Sequence, residues 1–180
     1  ELQEHYDVIL FACGAESDSA MGIPGEDLPG SHSATAFVGW YNGHPDFREY
    51  AFDLQQERAV IIGMGNVAMD AARMLTKSVD ALRDTDIAAH ALDALAESKI
   101  REVHLIGRRG PAQFKITLPE LKEIGELDGV CPVVSKEALA LAPACQEEIN
   151  TPDAIRILEV LDDYSKRSPK ASDRKIIFHF

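Results

Sequence analysis

Apolar residues fall in short continuous runs, separated by stretches with a helical period. The first run, Asp7 to Cys13, predicts a buried parallel strand. Turn residues then dominate from Ile23 to Gly30 and predict a linker or surface loop. Ser33 can cap a short helix carrying Phe37, Val38, Trp40 and Tyr41, which Asn42-Gly43-His44-Pro45 ends. From Arg58 the pattern turns regular. Residues 59–62 read as a strand, and Asn66 to Lys77 as a helix with Val67, Ala71 and Met74 on one face. Thr85-Asp86 can cap a second helix over 87–98, with Ile87, Ala91, Ala94 and Leu95 apolar. Residues 102–106 read as the next strand.

Further on, Thr117-Leu118-Pro119-Glu120 has the spacing of a capping box. Val130 to Val134 reads as a strand, placed at a sheet edge by Pro132. Thr151-Pro152 opens a helix to Lys166, a polar loop spans 165–170, and Lys175 to Phe180 reads as a last strand. The alternation predicts an α/β fold: a mainly parallel sheet with flanking helices.

Composition narrows the function. Hydrophobic residues make up 46% and charged residues 27%, as in globular proteins. No apolar run approaches the roughly 20 residues of a membrane span. The net charge of −12 argues against nucleic acid as a partner. Cys13, Cys131 and Cys145 have no metal-ligand spacing and suit a reducing compartment. The abrupt ends of the pattern suggest a piece of a longer polypeptide.

The chemistry sits at two strand ends. Val60-Ile61-Ile62 runs into Gly63-Met64-Gly65-Asn66-Val67-Ala68, a GxGxxA turn opening a helix. Such a turn presents backbone amides to a pyrophosphate; glycine allows the tight bend and the close approach. The acidic residue that holds the ribose of NAD about 20 residues on is missing. Instead an extra helical stretch delays the second strand, whose end carries Gly107-Arg108-Arg109. Two guanidiniums there match a 2′-phosphate, so the pair predicts NADP(H) over NAD(H).

Several segments resemble one family. They are Phe37 to Asp46, Gly63 to Arg73, Gly107 to Gln113, and Pro119 to Glu123, with Glu16 and Ile23 to Glu26 also fitting. In order and spacing they are similar to the adrenodoxin reductase family and its bacterial FprA-type NADPH:ferredoxin reductases. That resemblance implies a Rossmann-like NADP-binding domain of a two-dinucleotide-binding flavoprotein. Residues 1–35 would be the tail of a split FAD-binding domain and the crossover, and 36–180 the NADP-binding domain. Hydride would pass from NADPH to FAD, and electrons to a ferredoxin-like iron–sulfur protein. The partners implied are that protein and the rest of the chain's own FAD domain.

By position, the resemblance implies that Gly63, Met64, Gly65, Asn66 and Val67 hold the pyrophosphate region, and Arg108 and Arg109 the 2′-phosphate. Glu120 would contact the nicotinamide end, with Glu123 and Asp70 beside the nicotinamide as candidate catalytic residues. Each carboxylate also has a plain reading: Glu120 as a helix cap, Glu123 as a solvated carboxylate, Asp70 as a favourable charge near a helix N-terminus. Phe114-Lys115-Ile116-Thr117 departs from the smaller, more neutral stretch of the vertebrate enzymes. A bacterial member would be cytoplasmic, a eukaryotic one mitochondrial. Two alternatives remain open: the NADP-binding domain of another flavin-dependent oxidoreductase, such as an electron-input subunit, and a stand-alone NADP-binding module without catalysis.

Overall fold

The computed structural model describes residues 1–11, 18–140, 149 and 151–180. Its elements are α1 (Ala34–Tyr41), β1 (Arg58–Ile62), α2 (Asn66–Thr76), α3 (Val79–Arg83), α4 (Ala89–Ala96), β2 (Glu102–Ile106), α5 (Leu118–Glu126), β3 (Val130–Val134), α6 (Pro152–Lys166) and β4 (Arg174–His179). The four strands form one sheet in the order β1-β2-β4-β3, every pair parallel. The expected α/β architecture is therefore present, with β3 at an edge where Pro132 costs least.

Helices α2, α5 and α6 pack on one face of this sheet. Met69, Leu121 and Leu161 join Val103, Leu105, Ile176 and Phe178 in a single core, each at most 2% exposed. A fully buried side chain of this size contributes about 1.5–3 kcal/mol. The chain reverses direction across the sheet between β3 and β4, yet α6 stays on the side of α2. The other face is open. Val60 is 58% exposed and Ile62 49%, although parallel sheets are ordinarily covered on both sides. On that face His104 Nδ1 lies 2.9 Å from His179 Nε2, and Lys175 Nζ donates to Glu102 at 3.0 Å. That bond, with burial opposing it and Arg58 assisting, holds the Glu102 carboxyl below its usual range.

Helix ends follow local chemistry. The Ser33 hydroxyl accepts from Ala36 N, so α1 is capped as expected; the Thr151 hydroxyl accepts from Ala154 N at 3.2 Å and caps α6, which Thr151-Pro152 was expected to open. At the far end of α2, Arg174 donates to the Thr76 and Lys77 carbonyls at 3.3 and 3.0 Å. A guanidinium there complements the negative end of the helix dipole.

Three expectations need correction. Residues 7–11 form no strand, and Val8, Leu10 and Phe11 lie more than four-fifths exposed, because no neighbouring strand pairs with them; residues 12–13 lie outside the described residues. The helix expected over 87–98 starts at Ala89 with Ala88 before it, and Thr85 instead donates its hydroxyl to Leu82 O. Ser78 caps an unexpected short helix, α3, through Ala81 N. The Thr117 hydroxyl caps no amide; it donates to the Glu120 carboxylate. Of the cysteines, Cys131 is buried in β3 on the expected pattern, burial pushing its thiol up, while Cys13, Cys145 and Glu16 lie outside the described residues.

Candidate functional site

At the end of β1 the chain turns through Gly63, whose φ of +135° only glycine adopts without strain. Its N–H donates to Ile106 O at 2.9 Å, which ties this turn to the end of β2. In the same way Gly107 N donates to His179 O at 2.8 Å and ties the end of β2 to β4. A Cβ on Gly107 would come within 2.6 Å of Met64 Sδ, so Met64 packs over the second turn.

Gly65 stands before α2 and has no side chain to cap it. The first bond back along the helix runs from Met69 N to Gly65 O, so the amides of Asn66, Val67 and Ala68 lack intrahelical partners. A Cβ on Gly63 or Gly65 would meet nothing within 4 Å. Packing within the chain therefore does not require either position to be small; the space they leave opens into a cleft of about 680 Å³. Gly63, Gly65, Asn66 and Val67 line one side of it. Lys115, Ile116 and Thr117 line it as well, with Ala34 at the start of α1.

Arg108 and Arg109 follow β2 directly, both exposed. Neither has a carboxylate partner among the described residues. Guanidiniums left unpaired beside an uncapped helix N-terminus form a region that can hold two phosphate groups, a pyrophosphate and a second phosphate further along the sheet.

The three carboxylates are tied up more than the sequence suggests. Arg73, one turn after Asp70 on α2, bonds Asp70 and reaches Glu123 on α5 at 2.5 Å. Lys77 lies 3.9 Å from the same Glu123. Partial burial opposes the Arg73 charge, but Glu123 and Asp70 outweigh it and hold the guanidinium above its usual value. Burial, and then the Asp70 charge, push the Tyr41 hydroxyl up. Asp70 and Glu123 are thus brought together through Arg73, as a buttress joining α2 and α5. Glu120 stands one turn earlier on α5, close to the Lys115–Thr117 wall, holding the Thr117 hydroxyl. Sequence reasoning missed Arg73, whose signal was its i+3 spacing from Asp70. It also assigned no role to Lys115, which alternates with the buried Phe114 and Ile116.

A parallel sheet with a glycine turn opening a helix at its first strand defines the Rossmann-like dinucleotide-binding class. No family model matches the chain. Individual proteins do. NADPH-ferredoxin reductase FprA of Mycobacterium leprae is 46% identical over 187 residues, covering 100% of this chain and 40% of that protein. The mitochondrial NADPH:adrenodoxin oxidoreductase of Salvelinus fontinalis is 56% identical over 132 residues, covering 73% of this chain and 26% of its own length. The solved structure of Mycobacterium tuberculosis FprA in complex with NADPH superposes with a TM-score of 0.89 at 44% identity, over 99% of this chain and 39% of that one. The chain belongs to this family of NADPH-ferredoxin and NADPH:adrenodoxin reductases, and spans about 40% of the length of the bacterial relatives it matches.

Proposed function

We propose that the chain binds NADP(H) and is the hydride-donor part of a flavoprotein reductase that passes electrons to a ferredoxin-like iron–sulfur protein. One observation carries this reading: an uncapped glycine-opened helix lies beside two exposed arginines at the end of the neighbouring strand, neither with a carboxylate partner among the described residues. The residues fit the ligand. Amides of Asn66 and Val67 receive the pyrophosphate in the room left by Gly63 and Gly65, and Met64 supports the turn from beneath. Arg108 and Arg109 grip the 2′-phosphate. Glu120 faces the nicotinamide end, and Asp70 and Glu123, held by Arg73, stiffen the helices beside it.

NADPH supplies the hydride and FAD accepts it, so no protein acid or base is needed for that transfer. This chain's residues bind and orient the donor. In this reading residues 1–35 belong with the FAD-binding part and 36–180 with the NADP-binding part. The chain's relatives as named support a ferredoxin or adrenodoxin as acceptor.

Isothermal titration of the intact protein tests the assignment. NADP⁺ should bind at least tenfold more tightly than NAD⁺, roughly the value of one charge-assisted contact. Arg108→Ala combined with Arg109→Ala should erase the difference. Equal affinities in the unaltered protein would defeat the proposal.

A further inference from the structure

We propose that Lys115 is a pyrophosphate ligand, reaching the dinucleotide from the Lys115–Thr117 wall of the cleft that the glycine turn also lines. The inference rests on the NADP reading above and adds to it a contact that neither the glycine turn nor the arginine pair provides. Three observations carry it. First, Lys115 lines the same cleft as Gly63, Gly65, Asn66 and Val67. Second, its backbone is fixed: Phe114 and Ile116 on either side are buried at 8% and 7% exposure, so the extended chain turns Lys115 outward between two anchors. Third, its ammonium has no carboxylate partner among the described residues. Lys77, Lys166 and Lys175, by contrast, are all paired with acidic side chains.

The charge balance says which part of the ligand it meets. The uncapped start of α2 lines the cleft, and of the ligand's two phosphate groups it is the pyrophosphate that such a helix end receives. The oxidised nicotinamide ring is cationic, so an ammonium is repelled there. Arg108 and Arg109 are absent from the cleft lining, which leaves Lys115 as the one cation on its walls among the described residues. In a chain of net charge −12, a single local cation also offsets the repulsion a dianion meets on approach.

The test uses two probes on the intact, oxidised protein. NADP⁺ carries both the pyrophosphate and the 2′-phosphate, whereas adenosine 2′-monophosphate carries only the latter. Lys115→Ala should weaken NADP⁺ by about tenfold and leave adenosine 2′-monophosphate unchanged. Lys115→Arg should restore most of the loss, and Lys122→Gln, an exposed lysine on α5, should change neither probe. Arg109→Ala should weaken both. An unchanged NADP⁺ affinity in Lys115→Ala overturns the assignment, as does an equal loss for both probes. If the unaltered protein binds neither probe, it is the NADP reading itself that fails. Lys115 is exposed, so thermal unfolding of its variants should match the unaltered protein.

Discussion

Helices α2 and α6 lie on the same face of the sheet and feed the same core, yet their N-termini are finished in opposite ways. Thr151 supplies α6 with a hydroxyl, and Pro152 occupies its first turn. Gly65 supplies α2 with nothing, and the space beside it is empty. The first end is completed by the chain itself. The second is left for something else to complete. An unsatisfied helix end costs stability, and a chain keeps one where a ligand takes up the amides.

Gly65→Asp breaks the contrast most sharply. The introduced carboxylate can cap α2 as Thr151 caps α6, while opposing a pyrophosphate. NADP⁺ affinity should fall by more than about a hundredfold with the melting temperature equal or higher, by the usual gain of an N-cap. A stable variant that still binds NADP⁺ would show that the amides are not the site.

The next effect belongs to α6. Its Tyr164, 1% exposed, donates its hydroxyl to Leu121 O on α5. Burial, against the pull of Arg167, pushes this hydroxyl up to about 12 from an ordinary 10. The folded state therefore favours the protonated phenol. That contribution is fully present below pH 10 and is lost as pH rises towards 12. Its size is on the order of 2 kcal/mol. Chemical denaturation across this alkaline range should show the decline, and Tyr164→Phe should flatten it. Thr151→Ala gives the smallest effect: about 1 kcal/mol of stability lost, with NADP⁺ affinity unchanged. A loss of affinity there would mean that the two helix ends do not have separate roles.

Most of the elements were legible because periodicity and end signals agreed. Ser33, Gly65 and Thr151 each sit immediately before the helix they were expected to start. Apolar runs marked all four strands. The failures share a cause: a local signal needs a partner in space. The Asp7–Cys13 run is as apolar as β1, but a strand exists only when paired, and no strand among the described residues pairs with 7–11. Likewise Val60 and Ile62 are as apolar as a core strand, yet the structure leaves both about half exposed. Thr117 and Glu120 have the capping-box spacing, but their side chains bond each other instead of the backbone. For the site, spacing showed the glycines and the arginines. It could not show that Arg73 binds Asp70 and Glu123 together, because α2 and α5 are brought side by side only by the fold.

The contact of Met64 with Gly107 constrains how this sequence can vary. A Cβ at 107 would come within 2.6 Å of the methionine sulfur, so a side chain there requires the flexible Met64 to swing aside or a smaller residue at 64. The glycine turn after β1 and the turn that carries the arginines therefore do not vary independently: what stands at 64 limits what can stand at 107.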